Sequence, residues 1–173
     1  DSYPIISNTT NSVAITTGGA ATAQMFLIAG TNNVTLQTGG SLTQFRALHT
    51  ASAVNFIQAT GGATGIAAQL SSQGTDTDIP LVLQPKGTGA LQAQRTDSAV
   101  AGGNARGANA VDWQTSRAGA SQVASAASSV IGGGVNNHIT NSCYSVISGG
   151  AGNSITCVGC SIMTSFAFGV GNY

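Results

Sequence analysis

Residues 129–150 read SVIGGGVNNHITNSCYSVISGG. Ser-Val-Ile fills 129–131 and returns at 145–147, with Gly133-Gly134 after the first copy and Gly149-Gly150 after the second. Every matched pair is offset by 16 residues. Working outward, the sequence aligns as three coils: SQVASAASSVIGGGVN (121–136), NHITNSCYSVISGGAG (137–152) and NSITCVGCSIMTSFAF (153–168). A fixed short period is the mark of a repeat that stacks on its neighbours, with like residues about 4.8 Å apart. The spacing predicts that Val123, Ile139 and Ile155 line up, as do Ile131, Ile147 and Met163. Each SVI reads as an inward-facing strand, and the glycines turn the corner where φ must be positive.

The first ninety residues repeat more loosely. Thr17-Gly18-Gly19, Thr38-Gly39-Gly40 and Thr60-Gly61-Gly62 are spaced by 21 and 22 residues. Between them lie β-like runs at 23–29, 33–38, 43–49 and 53–60, followed by the variant unit AAQLSSQ, GTDTD and IPLVLQPKG. Short runs punctuated by Gly-rich turns predict strands. The expected class is all-β: an intertwined homotrimer with a β-hairpin, β-prism-like N-terminal part, then a short-coil β-roll solenoid with 16-residue repeats. The expected divisions are a strand-repeat shaft over 1–91, a junction or collar over 92–120 and β-roll coils over 121–173. Within the collar, NAVDWQTSR is expected as a short helix or an irregular segment.

Composition carries the oligomer argument. Only 6% of the 173 residues are charged, against about 25% in an average domain. There is no Glu, and the net charge is zero. A neutral chain offers no basic patch for nucleic acid and no polybasic membrane anchor, and no apolar run reaches a membrane span of about 18 residues. Aromatics are 5%, so bulky side chains for a compact monomeric core are few. Association of three parallel chains is expected to bury the Ala, Val and Ile faces together, with Ile147 in a shared interior. The opening DSYPIISNTT shows neither an initiator Met nor a signal peptide, which reads as a fragment or processed product.

Two stretches resemble a known group. DIPLVLQPKGTGALQ (78–92) and GNARGANAVDWQTSRAGASQVASAASSVIGGG (103–134), with the coils after them, resemble tail-fibre and spike proteins of bacteriophages and large viruses. The coils also look like the left-handed β-roll heads of trimeric autotransporter adhesins. The resemblance covers about residues 60–168. It departs at Ala126, and at Ser165 and Phe166, which stand in glycine slots. It implies a homotrimer on the virion surface that contacts other tail or fibre proteins and binds a host receptor, glycan or protein, without catalysis. It also makes Tyr173 a possible processed end. The alternatives are a bacterial cell-surface adhesin head, a glycan-degrading tailspike and an ice-binding solenoid. The last needs a regular Thr array, and only Thr140 and Thr156 stack in register.

Chemistry-bearing residues are sparse. Asp76 and Asp78 in GTDTD are the only close carboxylates, and an Asx-type turn explains them. His49 and His138 lack partners at metal-ligand spacing, and His138 reads as a polar residue of a solvent-facing turn. Cys143, Cys157 and Cys160 fill ordinary coil positions and read as small half-buried residues, with a CxxC or inter-chain disulfide as the alternative. The Gly-rich segments lack phosphate-loop spacing. No catalytic residue, metal ligand or cofactor is expected. Receptor contacts favour exposed aromatics, so Tyr144 leads the binding candidates, with Trp113, His138 and Tyr173 behind it. Phe166 and Phe168 read as plugs for the end of the stack.

Overall fold

The computed structural model describes residues 33–38 and 42–157, and the backbone of 166–167. The described residues form strands and turns with no helix, so the chain is mostly β. It divides into two compact units between Pro80 and Leu81.

The first unit contains two antiparallel hairpins. β1 (Val34–Thr38) pairs with β2 (Leu42–Ala47), and β3 (Asn55–Thr60) pairs with β4 (Gln69–Gly74). β1, β2 and β3 fall where β-branched and aromatic residues predict strands, while β4 (QLSSQG) falls in the expected AAQLSSQ unit. The expected strands over 23–29 and the glycines at 18–19 and 39–40 lie outside the described residues. Val34↔Ala47 and Leu36↔Phe45 make one face of the first hairpin apolar, while Thr35↔Arg46 lies on the other. In the second hairpin Ile57, Ala59 and Leu70 share a face. Asp76 accepts a hydrogen bond from Asn55 Nδ2 at 2.7 Å beside the GTDTD bend. Among the described residues of 33–80 not one is buried.

The second unit is built on parallel pairing. β5 (Leu91–Gln92), β6 (Val111–Asp112), β7 (Val130–Ile131), β9 (Val146–Ile147) and β11 (Phe166–Ala167) form one sheet in the order β11-β9-β7-β6-β5. β8 (His138–Thr140) and β10 (Ser154–Thr156) form a second. Val130 pairs with Val146 and Ile131 with Ile147, and Thr140 pairs with Thr156, all at the offset of 16 seen in the sequence. Val111 pairs with Val130, a longer offset of 19. Residues 92–120, expected as a separate collar, supply β6 to this same sheet, and NAVDWQTSR contains a strand rather than a helix.

Inward positions alternate with outward ones, as a pleated strand requires. Ala110, Asp112 and Gln114 are buried on the β6 rung; Ser129 with Ile131, and Ser145 with Ile147, are buried on the β7 and β9 rungs. Ile131, Ile139 and Ile147 are 0% exposed and pack with Ala110, Ala124 and Ala126. This corrects the expectation that Ile147 faces an interior shared by three chains: its burial is complete within one chain. Ala124, not Val123, pairs with Ile139, because the segment from Ala124 to Val130 is one residue shorter than that from Ile139 to Val146. Met163 itself lies outside the described residues, but the expectation that it stacks on Ile147 is corrected: Ile147 pairs with Ala167, an offset of 20 rather than 16.

The repeated glycines have a steric reason. Gly134 and Gly150 both adopt left-handed φ, +85° and +90°. A Cβ on Gly134 would run into the Gly150 carbonyl of the next coil. Deleting the stacked aliphatics is correspondingly costly. Ile147→Ala is expected to destabilise the chain by about 2–5 kcal/mol, from lost transfer energy plus the cavity left behind. Chemical denaturation followed by far-UV dichroism measures this, and an unshifted midpoint contradicts the packing described.

Candidate functional site

Burial and charge meet in one place. On β6 Asp112 takes the slot that Ile131 and Ile147 fill on the next two rungs. An isolated carboxylate there would be prohibitively desolvated, and Arg106 meets it. Arg106 Nε donates to Asp112 Oδ2 at 2.8 Å with both side chains 0% exposed. Arg106 Nη1 reaches the carbonyls of Gly102 and Asn104, while Nη2 is buried and has no partner among the described residues. Asp112 Oδ1 accepts the Gln114 N–H at 3.1 Å.

Gln114 carries the network onward. Its Oε1 accepts the Asn137 N–H at 2.7 Å, and its Nε2 donates to the Gln122 carbonyl at 2.7 Å and the Asn137 carbonyl at 3.2 Å. Arg117, also buried, donates to Gln94 Oε1 and the Ala101 carbonyl at 2.7 Å and to the Gln114 carbonyl at 2.9 Å. Burial, and then the nearby Arg106 charge, push the Arg117 pKa below its ordinary value, while Asp112 and Asp97 pull it back. Asn137 repeats the Gln114 arrangement one coil later: its Oδ1 accepts the N–H of Asn153 at 2.9 Å, and its Nδ2 donates to the Gly133 and Gly150 carbonyls. The sequence reading did not assign this cluster. Its signal was present, because 92–120 concentrates the charged residues of a nearly uncharged chain.

The cluster closes on itself. Both carboxylate oxygens of Asp112 are occupied and neither reaches solvent, so the arrangement stabilises structure rather than offering an acid or base to a substrate. Near it, exposed Asp97 accepts the N–H groups of Ala99 at 2.8 Å and Gly102 at 3.0 Å. Hydrogen bonding from Ala99 lowers its pKa most; desolvation opposes this, and Gly102, Gly103 and the Arg95 charge lower it further.

The binding candidates are not gathered into one site. Trp113 follows β6 and is 45% exposed; Tyr144 precedes β9 at the opposite end of the strand direction and is 55% exposed. His138 is on β8, in the other sheet. The sequence placed His138 in a solvent-facing turn, and this is corrected: it is a half-buried strand residue whose Nε2 lies 3.0 Å from Ser154 Oγ and 3.5 Å from Thr156 Oγ1. Tyr173 and Phe168 lie outside the described residues, as does the Phe166 side chain. The cysteines divide. Cys143 is a free, half-buried thiol, whereas Cys157 is disulfide-bonded, which corrects the reading of Cys157 as merely a small coil residue. Among the described residues no group of three or more His, Cys, Asp or Glu side chains is placed to hold a metal ion.

Tyr144 stands out for its backbone. Asn109, Ser128 and Tyr144 each sit two residues before a paired Val, with φ of +56°, +52° and +58°. This corner takes left-handed geometry ahead of β6, β7 and β9. Asn tolerates it and glycine suits it, but a large aromatic residue there is strained by about 1–2 kcal/mol. Strain at an exposed aromatic is a motive to look for function.

No protein-family model, curated protein or solved structure matches this chain.

Two outcomes are expected. Arg106→Ala strands the Asp112 charge and is expected to cost about 3–5 kcal/mol, whereas Arg106→Met with Asp112→Ile extends the isoleucine column and recovers most of the loss. Parallel denaturation curves of both variants decide this, and an equal loss in both rejects the pairing argument. Tyr144→Asn, which copies Asn109, is expected to raise stability by up to about 1 kcal/mol in the same measurement.

Proposed function

We propose that this chain is the attachment segment of a trimeric viral fibre or spike. Its N-terminal hairpins assemble around a shared axis, and its C-terminal part is a short-coil β-roll solenoid with 16-residue repeats. It works at the virion surface as a rigid displayed rod that contacts a host receptor and carries out no catalysis. The alternative owner of the same architecture is a bacterial surface adhesin.

The observation that carries this reading is the exposed apolar surface of the first unit. Leu36, Phe45, Phe56, Ile57 and Leu70 are each 54–60% exposed. The apolar faces of the two hairpins line a cavity of about 660 Å³, with Phe45 and Ala47 from one and Ile57, Ala59 and Leu70 from the other. Two-stranded hairpins are marginal in water without a covered face, and an apolar surface this extensive marks an interaction site. A neutral chain repels no copy of itself, so three copies satisfy the need without a second gene product. The enclosed Arg106–Asp112 pair supports a structural rather than a catalytic use of the best-buried acid. Tyr144, exposed and strained, is the first residue we assign to receptor contact.

Light scattering on the purified chain is expected to give the mass of three copies. Phe45→Ser with Ile57→Ser is expected to release single chains that retain the β signal of the second unit. A cooperatively melting single chain in dilute wild-type solution would overturn the assembly. Loss of cell adhesion by Tyr144→Asn at unchanged oligomeric mass is expected, and unaltered adhesion removes Tyr144 from the contact surface.

A further inference from the structure

The second unit opens on an exposed apolar segment that pairs with no strand among the described residues. Leu81, Val82 and Leu83 are 42%, 72% and 52% exposed. They lie in no strand, and among the described residues their backbone N–H and C=O groups form no backbone hydrogen bond. As an extended strand the segment would turn Leu81 and Leu83 to one side and Val82 to the other, both apolar. The segment is uncharged and has the composition of a strand.

A matching vacancy exists in the same unit. β5 is the end strand of its sheet. Leu91 and Ala93 donate to the carbonyls of Ala110 and Asp112 at 2.9 Å, so β5 turns the backbone groups of Gln92 to its other side, which is unpaired among the described residues. Beside it lies an open cavity of about 320 Å³, lined in part by Pro85, Gly89, Leu91, Ala110 and Val111. Exposed strand edges are templates for an added strand.

The chain cannot fill that edge in parallel with its own segment. Only the seven residues Gln84–Ala90 join Leu83 to Leu91, while a parallel crossover needs about a dozen or more. We propose that Leu81–Leu83 of one copy adds as a parallel strand to the β5 edge of a second copy, placing an apolar side chain in that copy's cavity. The exchange repeats around the assembly, so each subunit donates one strand and receives one. The parallel ladder then begins with a strand from a neighbour, and the edge is closed by a heterologous contact that a ring can satisfy. This rests on the homotrimeric reading and says which residues join the subunits.

The test uses two full-length chains co-expressed in one cell with different tags, both carrying Cys143→Ser to remove the free thiol. One carries Val82→Cys and the other Gln92→Cys. After air oxidation, non-reducing gels and peptide mass spectrometry are expected to show a disulfide joining positions 82 and 92 of different chains, well above the level from Val100→Cys paired with Gln92→Cys. Val100 is a fair control because it is 50% exposed in the same unit. Light scattering on the same sample separates the outcomes. A three-chain mass with no 82–92 link, or with 82–82 links only, overturns the strand exchange and leaves the trimer standing. A one-chain mass overturns both.

Discussion

Asn137 holds two coils at once. Its Nδ2 binds the Gly133 carbonyl of its own turn and the Gly150 carbonyl of the next, while its Oδ1 receives both N–H donors of Asn153 at 2.9 and 3.0 Å. Gln114 does the equivalent one step earlier, receiving the Asn137 N–H. These amides are buried or half-buried, where an unmet donor or acceptor costs about 1–3 kcal/mol. A slip in register would leave several unmet together. The amide column therefore selects the one stacking in which Ile131 meets Ile147 and Ile139 meets Ile155.

The isoleucines supply the larger apolar gain, yet they cannot set the register alone, since a slip by a whole coil would still bury an isoleucine. Directional hydrogen bonds discriminate where apolar burial does not. The Arg106–Asp112 pair adds a second distinction. It places a charge pair on β6 where β7 and β9 carry isoleucine, so one rung of the column differs from the two that follow it. Such a pair is a modest source of stability, and losing one member leaves the other charge buried and unpaired. Glu is missing from the chain, but an acid was kept at this slot.

The first unit follows a different logic. Its hairpins are locally well specified, with pairing from Asn55↔Gly74 to Thr60↔Gln69 uninterrupted, but no described side chain there is buried. Local pairing sets strand positions and leaves the apolar faces for something else to cover. The second unit carries its own aliphatic core, while its leading segment Leu81–Leu83 remains uncovered.

Periodicity in the sequence was enough to determine a mostly β chain, the stacking of Ile131 on Ile147 and of Thr140 on Thr156, and glycine at the corners, because each follows from local geometry repeated at a constant interval. Where the interval changes, the pattern misled: the 19-residue step from Val111 to Val130 hid 111–112 from the ladder and made a collar look separate. Val123 was paired with Ile139 on the same false assumption of constancy, whereas the fold pairs Ala124. Only the tertiary structure decided that Asp112 points inward to Arg106, that His138 lies on a strand beside Ser154, and that Ile147 is covered by its own chain. Those facts depend on which segments meet in space, and pairing between rungs is set by hydrogen bonds and closure that no single stretch of residues contains.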